Sequence, residues 1–208
     1  MSEHPILFST PMVQAILSEE KTQTRRIAKL NVAGHVARGG KAWHPDDPEA
    51  LMGCPFGQPG DILWVRETWN GPYWDDDGAY PDDGYSPKFC HYKADGRKMP
   101  YYEDADGFIR EGWSPSIHMP RWASRITLAI TAIRLERLQD ISEQDARAEG
   151  IAGGGCLNCG NHEPCGCSDP LPGARESFIG LWNSINGAGS WDADPLVWVI
   201  EFEKKEQP

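Results

Sequence analysis

Nowhere does the chain hold an uninterrupted apolar run near the ~20 residues that a membrane-spanning helix needs. Its first residues, MSEHPILFST, lack a basic region followed by an apolar stretch. Neither a membrane partner nor a secretory leader is therefore expected, and the cytoplasm is the expected compartment. Thiols stay reduced there, so the six cysteines read as metal ligands or small buried apolar residues rather than as disulfides. Internal repeats and low-complexity tracts are also missing. The acidic runs Asp75–Asp77 and Asp82–Asp83 lack the D-x-D-x-D-G loop and distal glutamate of a calcium site, which leaves them as solvated surface. At 208 residues, 39% hydrophobic and 25% charged, the chain can bury one substantial core, or one core with long insertions, and reads as a soluble globular protein.

Surplus basic charge is missing too: the formal net charge is −11. Binding to a polynucleotide usually rests on a basic surface, which argues against a long duplex as partner. The acid is unevenly spread, however. Residues 70–112 and 152–208 carry −5 each, whereas residues 1–69 carry −1 and residues 113–151 balance to zero. A locally cationic pocket on such a protein suits a small anionic or polar ligand, or a short single-stranded segment.

What is present reads as a succession of short elements. Thr10 can cap a helix with Pro11 at its first position, and Met12/Ile16 with Val13/Leu17 form an apolar stripe ending near Glu19. KTQTRRI follows as a strand, with Thr22, Thr24 and Arg26 on one face and Gln23 and Arg25 on the other. Lys21 joins the Thr24 face only if it lies in the helix-to-strand turn. Residues 28–60 show little periodicity and end in the turn CPFGQPGD, which delivers the chain into the strand ILWVRETW. Residues 70–112, rich in Asp, Gly, Pro and Tyr, read as a structurally optional surface insertion with at most one hairpin.

PSIHMPRWASR is expected to be extended and to run into the strand ITLAITAIRL, where Ile126, Leu128 and Ile130 alternate with Thr127, Ala129 and Thr131. DISEQDARAEGI then predicts a two-turn helix capped by Ser142, with Asp145 three residues on, Glu149 at its end and Gly150 as its stop. A last helix around RESFIGLWNSING carries Phe178, Leu181, Trp182 and Ile185 at helical spacing with Gly187 past its end, and PLVWVIEFE closes the chain as a strand. The order α-β-β-β-α-α-β, with few strands and short helices, predicts an α+β fold built on a small, partly closed β-barrel with helices at its ends.

The blocks ILSEEKTQTRR, GDILWVRETW, ITLAITAIRLERLQDISEQDARAEGI and WVIEF resemble, in order and spacing, those of an ASCH domain of the PUA-like superfamily, in the style of its phage and prophage members. The resemblance covers about half of a single domain spanning 1–208 and makes residues 28–60, 70–112 and 152–173 insertions. The family signature G-x-K-x-x-x-x-R is met by Lys21 and Arg26, with Glu19 in place of the glycine. The small bacterial N4-acetylcytidine amidohydrolases of this superfamily use a lysine, a threonine three residues later and a glutamate on the helix after the third long strand. Carried over by motif, these are Lys21, Thr24 and Glu149.

That trio suits amide hydrolysis, which needs a nucleophile, a base for its proton and an acid for the leaving amine. A lysine held in a desolvated pocket can act as base for a threonine hydroxyl, Glu149 can carry the proton to a cytosine N4, and Arg25 or Arg26 can stabilise an oxyanion or hold a phosphate. The same residues also have plainer readings: a Lys–Glu pair at a barrel mouth can be a structural ion pair, and threonine is a good strand former.

Two further groups stand out. Arg66, Glu67, Trp69, His118, Arg121 and Trp122 supply guanidinium and indole planes that can line a nucleobase pocket. Against that, Trp64, Trp69 and Trp122 can equally be core or rim packing, and Glu67 a partner for an arginine. In CLNCGNHEPCGC, Cys156, Cys159, Cys165 and Cys167 follow C-x2-C-x5-C-x-C with His162 inside, a pattern that can close a tetrahedral Zn2+ site and staple its loop. Reduced, unliganded thiols are the other reading. No cofactor is expected for catalysis.

The leading expectation is recognition of a nucleoside or modified pyrimidine, with amidohydrolase activity on N4-acylated cytidine. A non-catalytic reader of RNA or modified DNA is the alternative. Ribonuclease activity is a third, with His118 and Arg25 or Arg121 as its base and phosphate-holding cation.

Overall fold

The computed structural model describes residues 1–72, 86–103, 109–153 and 172–205. Its elements are strand β1 (Glu3–Leu7), helix α1 (Thr10–Leu17), strands β2 (Gln23–Ile27), β3 (Ile62–Arg66) and β4 (Thr127–Arg137), helices α2 (Glu143–Ala148) and α3 (Ala174–Asn186), and strand β5 (Leu196–Lys205). The strands form one mixed sheet in the order β1-β3-β4-β5-β2. β1 runs parallel to β3, and the other pairs are antiparallel. The α+β class expected from the sequence is met. No helix among the described residues is long and apolar enough to cross a membrane.

β1 and β2 stand at opposite edges of the hydrogen-bonded order, yet the sheet curls enough for the Arg26 guanidinium on β2 to donate to the Leu7 carbonyl at the end of β1, 2.7 Å away. Among the described residues, no backbone ladder joins the two edges. α1 spans between them and buries Val13, Ala15 and Ile16. Beneath it, Ile6, Phe8, Leu63, Val65, Leu128, Ile130, Trp198 and Ile200 form the main core. A second cluster packs α2 and α3 on the opposite side of β5 through Phe178, Trp182, Trp191, Val197 and Val199. β5 is thus apolar on both faces, which explains its unbroken LVWVI run.

Three local details position the site. Ser142 caps α2 in a reciprocal capping box with Asp145, and Gly150, at φ +82, turns the chain immediately after Glu149. Glu19 is left-handed at φ +64 in the turn between α1 and β2. A register shift between Ile130 and Ala132 restarts the alternation of β4, so that Ile133 is buried beyond it.

Other parts depart from the sequence expectation. β1 adds a strand ahead of the expected first helix, and α1 is entered from Ser9, with Thr10 already helical. PSIHMPRWASR is not simply extended: its prolines lead into two single turns, Ser116–His118 and Arg121–Ala123. Residues 28–60 contain the hairpin Val36–Arg38/Lys41–Trp43. The segment 70–112 holds more than the one hairpin expected: Trp69 and Asn70 pair with Tyr92 and His91, Tyr101–Glu103 pairs with Ile109–Glu111, and Cys90, Tyr92 and Ala94 are buried. Ala94 also accepts a hydrogen bond from Gln14 of α1.

Candidate functional site

Lys21 occupies the helix-to-strand turn, and a β-bridge joins it to Glu149. Thr22 N–H donates to the Ala148 carbonyl, so the end of α2 is sewn to the start of β2 by backbone. The side chains then meet. Lys21 Nζ donates to Glu149 Oε2 at 2.7 Å and to the Glu149 carbonyl at 2.9 Å. Both are sheltered, the lysine side chain 0% and the glutamate 5% exposed. Burial pushes the Lys21 ammonium pKa below its usual range, with the Glu149 charge opposing that shift and the Arg26 and Arg25 charges adding to it.

The other Glu149 oxygen is held by Arg25, whose Nη1 lies 3.3 Å from Oε1. Arg25 is completely buried and also reaches Glu136 at 2.6 Å and Asp145 at 3.6 Å. Arg134 completes the array, touching Glu136 at 2.8 Å and Asp145 at 2.6 Å and also pairing with Glu201. Gln23 donates to both the carbonyl and the carboxylate of Asp145. Burial acts to raise the Asp145 pKa, but the hydrogen bonds from Ser142 and Gln23 and the Arg25 charge outweigh it and bring it down to about 2.

Thr24 is buried on β2 and opens on a cleft of about 150 Å3. The cleft is lined by Thr24, Arg25, Arg26 and Glu149 on one side, and on the other by the apolar Met12 of α1 and Phe178, Leu181, Trp182 and Ile185 of α3, with the polar Asn186 beside them. Thr24 and Glu149 therefore share one cavity. Lys21 does not line it and reaches it only through Glu149. Arg26 lies over the Phe8 ring, 5.1 Å from its centre, besides its bond to Leu7.

The second group gathers around β3. Glu67 is buried and held by Arg125 at 3.0 and 3.1 Å, and Arg125 lies 3.9 Å from the centre of the Tyr92 ring. Burial raises the Glu67 pKa against the pull of that arginine. Trp69 meets Trp122 edge to face at 5.6 Å inside a small core with Cys90, Tyr92 and Met119. Arg66 donates to the Ile117 carbonyl and lies against the Trp64 ring. Arg121 pairs with Glu3 at 2.7 Å, and His118 is exposed on its turn. None of these side chains lines the cleft that holds Thr24.

Cys156, Cys159, Cys165 and Cys167, and with them the expected zinc, lie outside the described residues. Cys54 and Cys90 are free and buried, and burial lifts both thiols to about 11, where they are inert.

Glu136, Arg134 and Trp182 were not among the residues marked from sequence. Arg134 and Glu136 break the apolar alternation of ITLAITAIRLER, the one signal that could have flagged them. Trp182 follows Phe178 at helical spacing and so reads as core. No protein-family model, curated protein or solved structure matches this chain.

Proposed function

We propose that this chain is an ASCH-type domain of the PUA-like superfamily, a partly closed barrel whose cleft between β2 and α3 receives a nucleoside or modified pyrimidine, with amidohydrolase chemistry on N4-acylated cytidine. The observation that carries this reading is the buried Lys21–Glu149 contact of 2.7 Å beside Thr24, with Thr24 and Glu149 on one cavity. The left-handed Glu19 supports the family assignment, because it stands where the signature has glycine, the residue suited to that conformation.

In this mechanism the Thr24 hydroxyl attacks the acyl carbonyl, forming a C–O bond while its proton passes to the Lys21–Glu149 pair. Burial lowers the Lys21 pKa against the Glu149 charge, which eases proton exchange within the pair. Collapse of the tetrahedral intermediate breaks the C–N bond, and Glu149 delivers the proton to the departing N4 amine. Water then attacks the acyl ester, releasing the carboxylic acid and restoring Thr24. Arg25 fixes the second oxygen of Glu149, which holds the carboxyl group in position throughout. A structural zinc at Cys156, Cys159, Cys165 and Cys167 belongs to the same reading; a full thiolate shell has no open position and takes no part in hydrolysis.

The test is incubation of purified protein with N4-acetylcytidine, following cytidine by chromatography, beside Thr24→Val and Glu149→Gln. Turnover lost by at least about 100-fold in both variants, at unchanged melting temperature for Thr24→Val, is the expected result. Absence of turnover in the wild type would overturn the catalytic reading.

A second reading has its own support. Lys21 is fully buried, gives its hydrogen bonds to Glu149 and does not line the cleft, an arrangement that suits a cleft binding a base, in RNA or modified DNA, without turning it over. The ribonuclease reading gains no such support, since Arg121 is tied to Glu3 and Arg25 to its carboxylates.

A further inference from the structure

The charges gathered around Glu149 sort into pairs by distance. Lys21 Nζ stands 2.7 Å from Glu149 Oε2, Arg25 Nη2 2.6 Å from Glu136 Oε1, and Arg134 Nη2 2.6 Å from Asp145 Oδ1. The contacts that cross between pairs are all longer: 2.8 Å from Arg134 to Glu136, 3.3 Å from Arg25 to Glu149 and 3.6 Å from Arg25 to Asp145. Arg25 thus belongs first to Glu136, and Glu149 first to Lys21. The Arg25 side chain is 0% exposed, so carboxylates rather than bulk water balance its charge, and what one of them takes another does not receive.

Glu136 is itself clamped. Its two oxygens go to different arginines, Oε1 to Arg25 and Oε2 to Arg134, and Arg134 is anchored in turn by Asp145 of α2 and Glu201 of β5. Arg134 and Glu136 lie two residues apart on β4, beyond its register shift, and so share one face of the strand. One residue of that face fixes the glutamate, and the glutamate fixes Arg25.

The other charges near the pair are engaged elsewhere. Arg26 rests on the Leu7 carbonyl and the Phe8 ring. Lys21 shares a second cavity with Glu19, Glu203 and Lys204, of which Glu19 and Lys204 pair with each other at 3.1 Å. α3 brings Phe178, Leu181, Trp182, Ile185 and Asn186 to the cleft and no ionisable group. Among the described residues, the cations within salt-bridge distance of Glu149 are Lys21 and Arg25.

We infer that Glu136 is a positioning residue: by holding Arg25 it keeps that cation from closing on Glu149 and leaves the cleft carboxylate paired with Lys21, while Arg134 sets how hard Glu136 pulls. The inference rests on the proposed use of Lys21 and Glu149 as the proton-handling pair, but its first readout needs no substrate. Without Glu136, Arg25 moves onto Glu149 and takes up part of the negative charge that favours the Lys21 ammonium. Loss of Arg134 acts with the opposite sign, because Glu136 then draws Arg25 further from Glu149.

The experiment titrates the full chain, labelled with 13C-lysine, from about pH 7 to 11 and follows the Lys21 Cε resonance, assigned by its absence in Lys21→Arg. Burial already holds this ammonium below its usual range, against the Glu149 charge. Glu136→Gln is expected to lower the midpoint further and Arg134→Gln to raise it. Glu136→Asp keeps the charge but is one methylene too short to hold Arg25, so it should also lower the midpoint. Turnover of N4-acetylcytidine in Glu136→Gln should fall roughly tenfold in kcat at unchanged KM, since Glu136 does not line the cleft.

A midpoint that stays still in these variants would overturn the inference. So would movement in the same direction in Glu136→Gln and Arg134→Gln, the mark of general loosening. A shift in Glu136→Gln that is absent from Glu136→Asp would also overturn it, because the glutamate would then act by charge at a distance and not by holding an arginine. If Glu136→Gln fails to fold, Glu136→Asp and Arg134→Gln carry the test. The expected shifts without turnover in the wild type would retire the amidohydrolase reading and keep this one; turnover with an unmoved midpoint would do the reverse.

Discussion

Lys21 and Glu149, 128 positions apart in sequence, are joined twice: the lysine ammonium donates to both the side-chain carboxylate and the backbone carbonyl of the same glutamate. The ammonium thus fixes the end of α2 as well as its side chain. Removing it leaves a buried carboxylate with Arg25 as its remaining cation. Lys21→Met should therefore destabilise the protein by about 3 kcal/mol. Lys21→Met/Glu149→Gln should be less destabilised than the sum of its single changes, since no charge is then left stranded. Denaturant unfolding of the four proteins measures both values, and strict additivity would show the pair to be uncoupled.

Acid stability should depend on Asp145. Its folded pKa, about 2, lies below the ordinary 3.8, so its contribution is present above pH 3.8 and is lost as the pH falls from there towards 2. Asp145→Asn should be less stable than wild type at neutral pH, and the gap should narrow steadily below pH 4. Melting temperatures read across pH 7 to 2.5 test this; a gap independent of pH would contradict it.

Glu19 carries a backbone conformation that disfavours side chains, at φ +64. Glu19→Gly should stabilise the fold by up to about 1 kcal/mol, net of the exposed ion pair with Lys204. Glu19→Ala keeps the strain and loses the pair, so its melting temperature should not rise. The two variants together separate backbone strain from charge.

Gly150 is the opposite case. It sits at φ +82, and a Cβ there would stand 2.8 Å from Ala15 Cβ and 3.0 Å from Lys21 Cβ. Gly150→Ala should cost roughly 2 kcal/mol or more and shift Lys21 relative to Glu149, so that any turnover falls along with stability. A variant with wild-type stability and turnover would mean that this close approach relaxes freely.

The cysteine pattern predicts one zinc per chain. Elemental analysis of protein purified without chelator should return close to one equivalent, and Cys156→Ser/Cys159→Ser should return none. Metal-free wild-type protein with four titratable thiols at these positions would exclude the staple.

The sequence spoke most clearly where one residue type has one job. Ser142, Asp145 and Gly150 marked both ends of α2, and through them the place of Glu149. The alternation of β4 was equally plain until its register shift at Ile130/Ala132, which local periodicity does not encode. β1 escaped notice because Pro5 interrupts a short segment; it is tolerated on an edge strand paired in parallel with β3. Of the site, Lys21, Thr24 and Glu149 could be marked only through the family resemblance. The sharing of Arg25 among Glu136, Asp145 and Glu149 depends on contacts across more than a hundred positions. Charge networks are properties of the packed chain, not of its pattern.

β2 lies at the edge of the sheet, and such an edge is a template on which other chains can add as strands. The Thr22–Ala148 hydrogen bond and the Lys21–Glu149 bridge occupy the start of that edge with the end of α2. The Lys21–Glu149 contact is therefore also a guard against strand addition at this edge, a role that holds whether or not the cleft turns over a substrate.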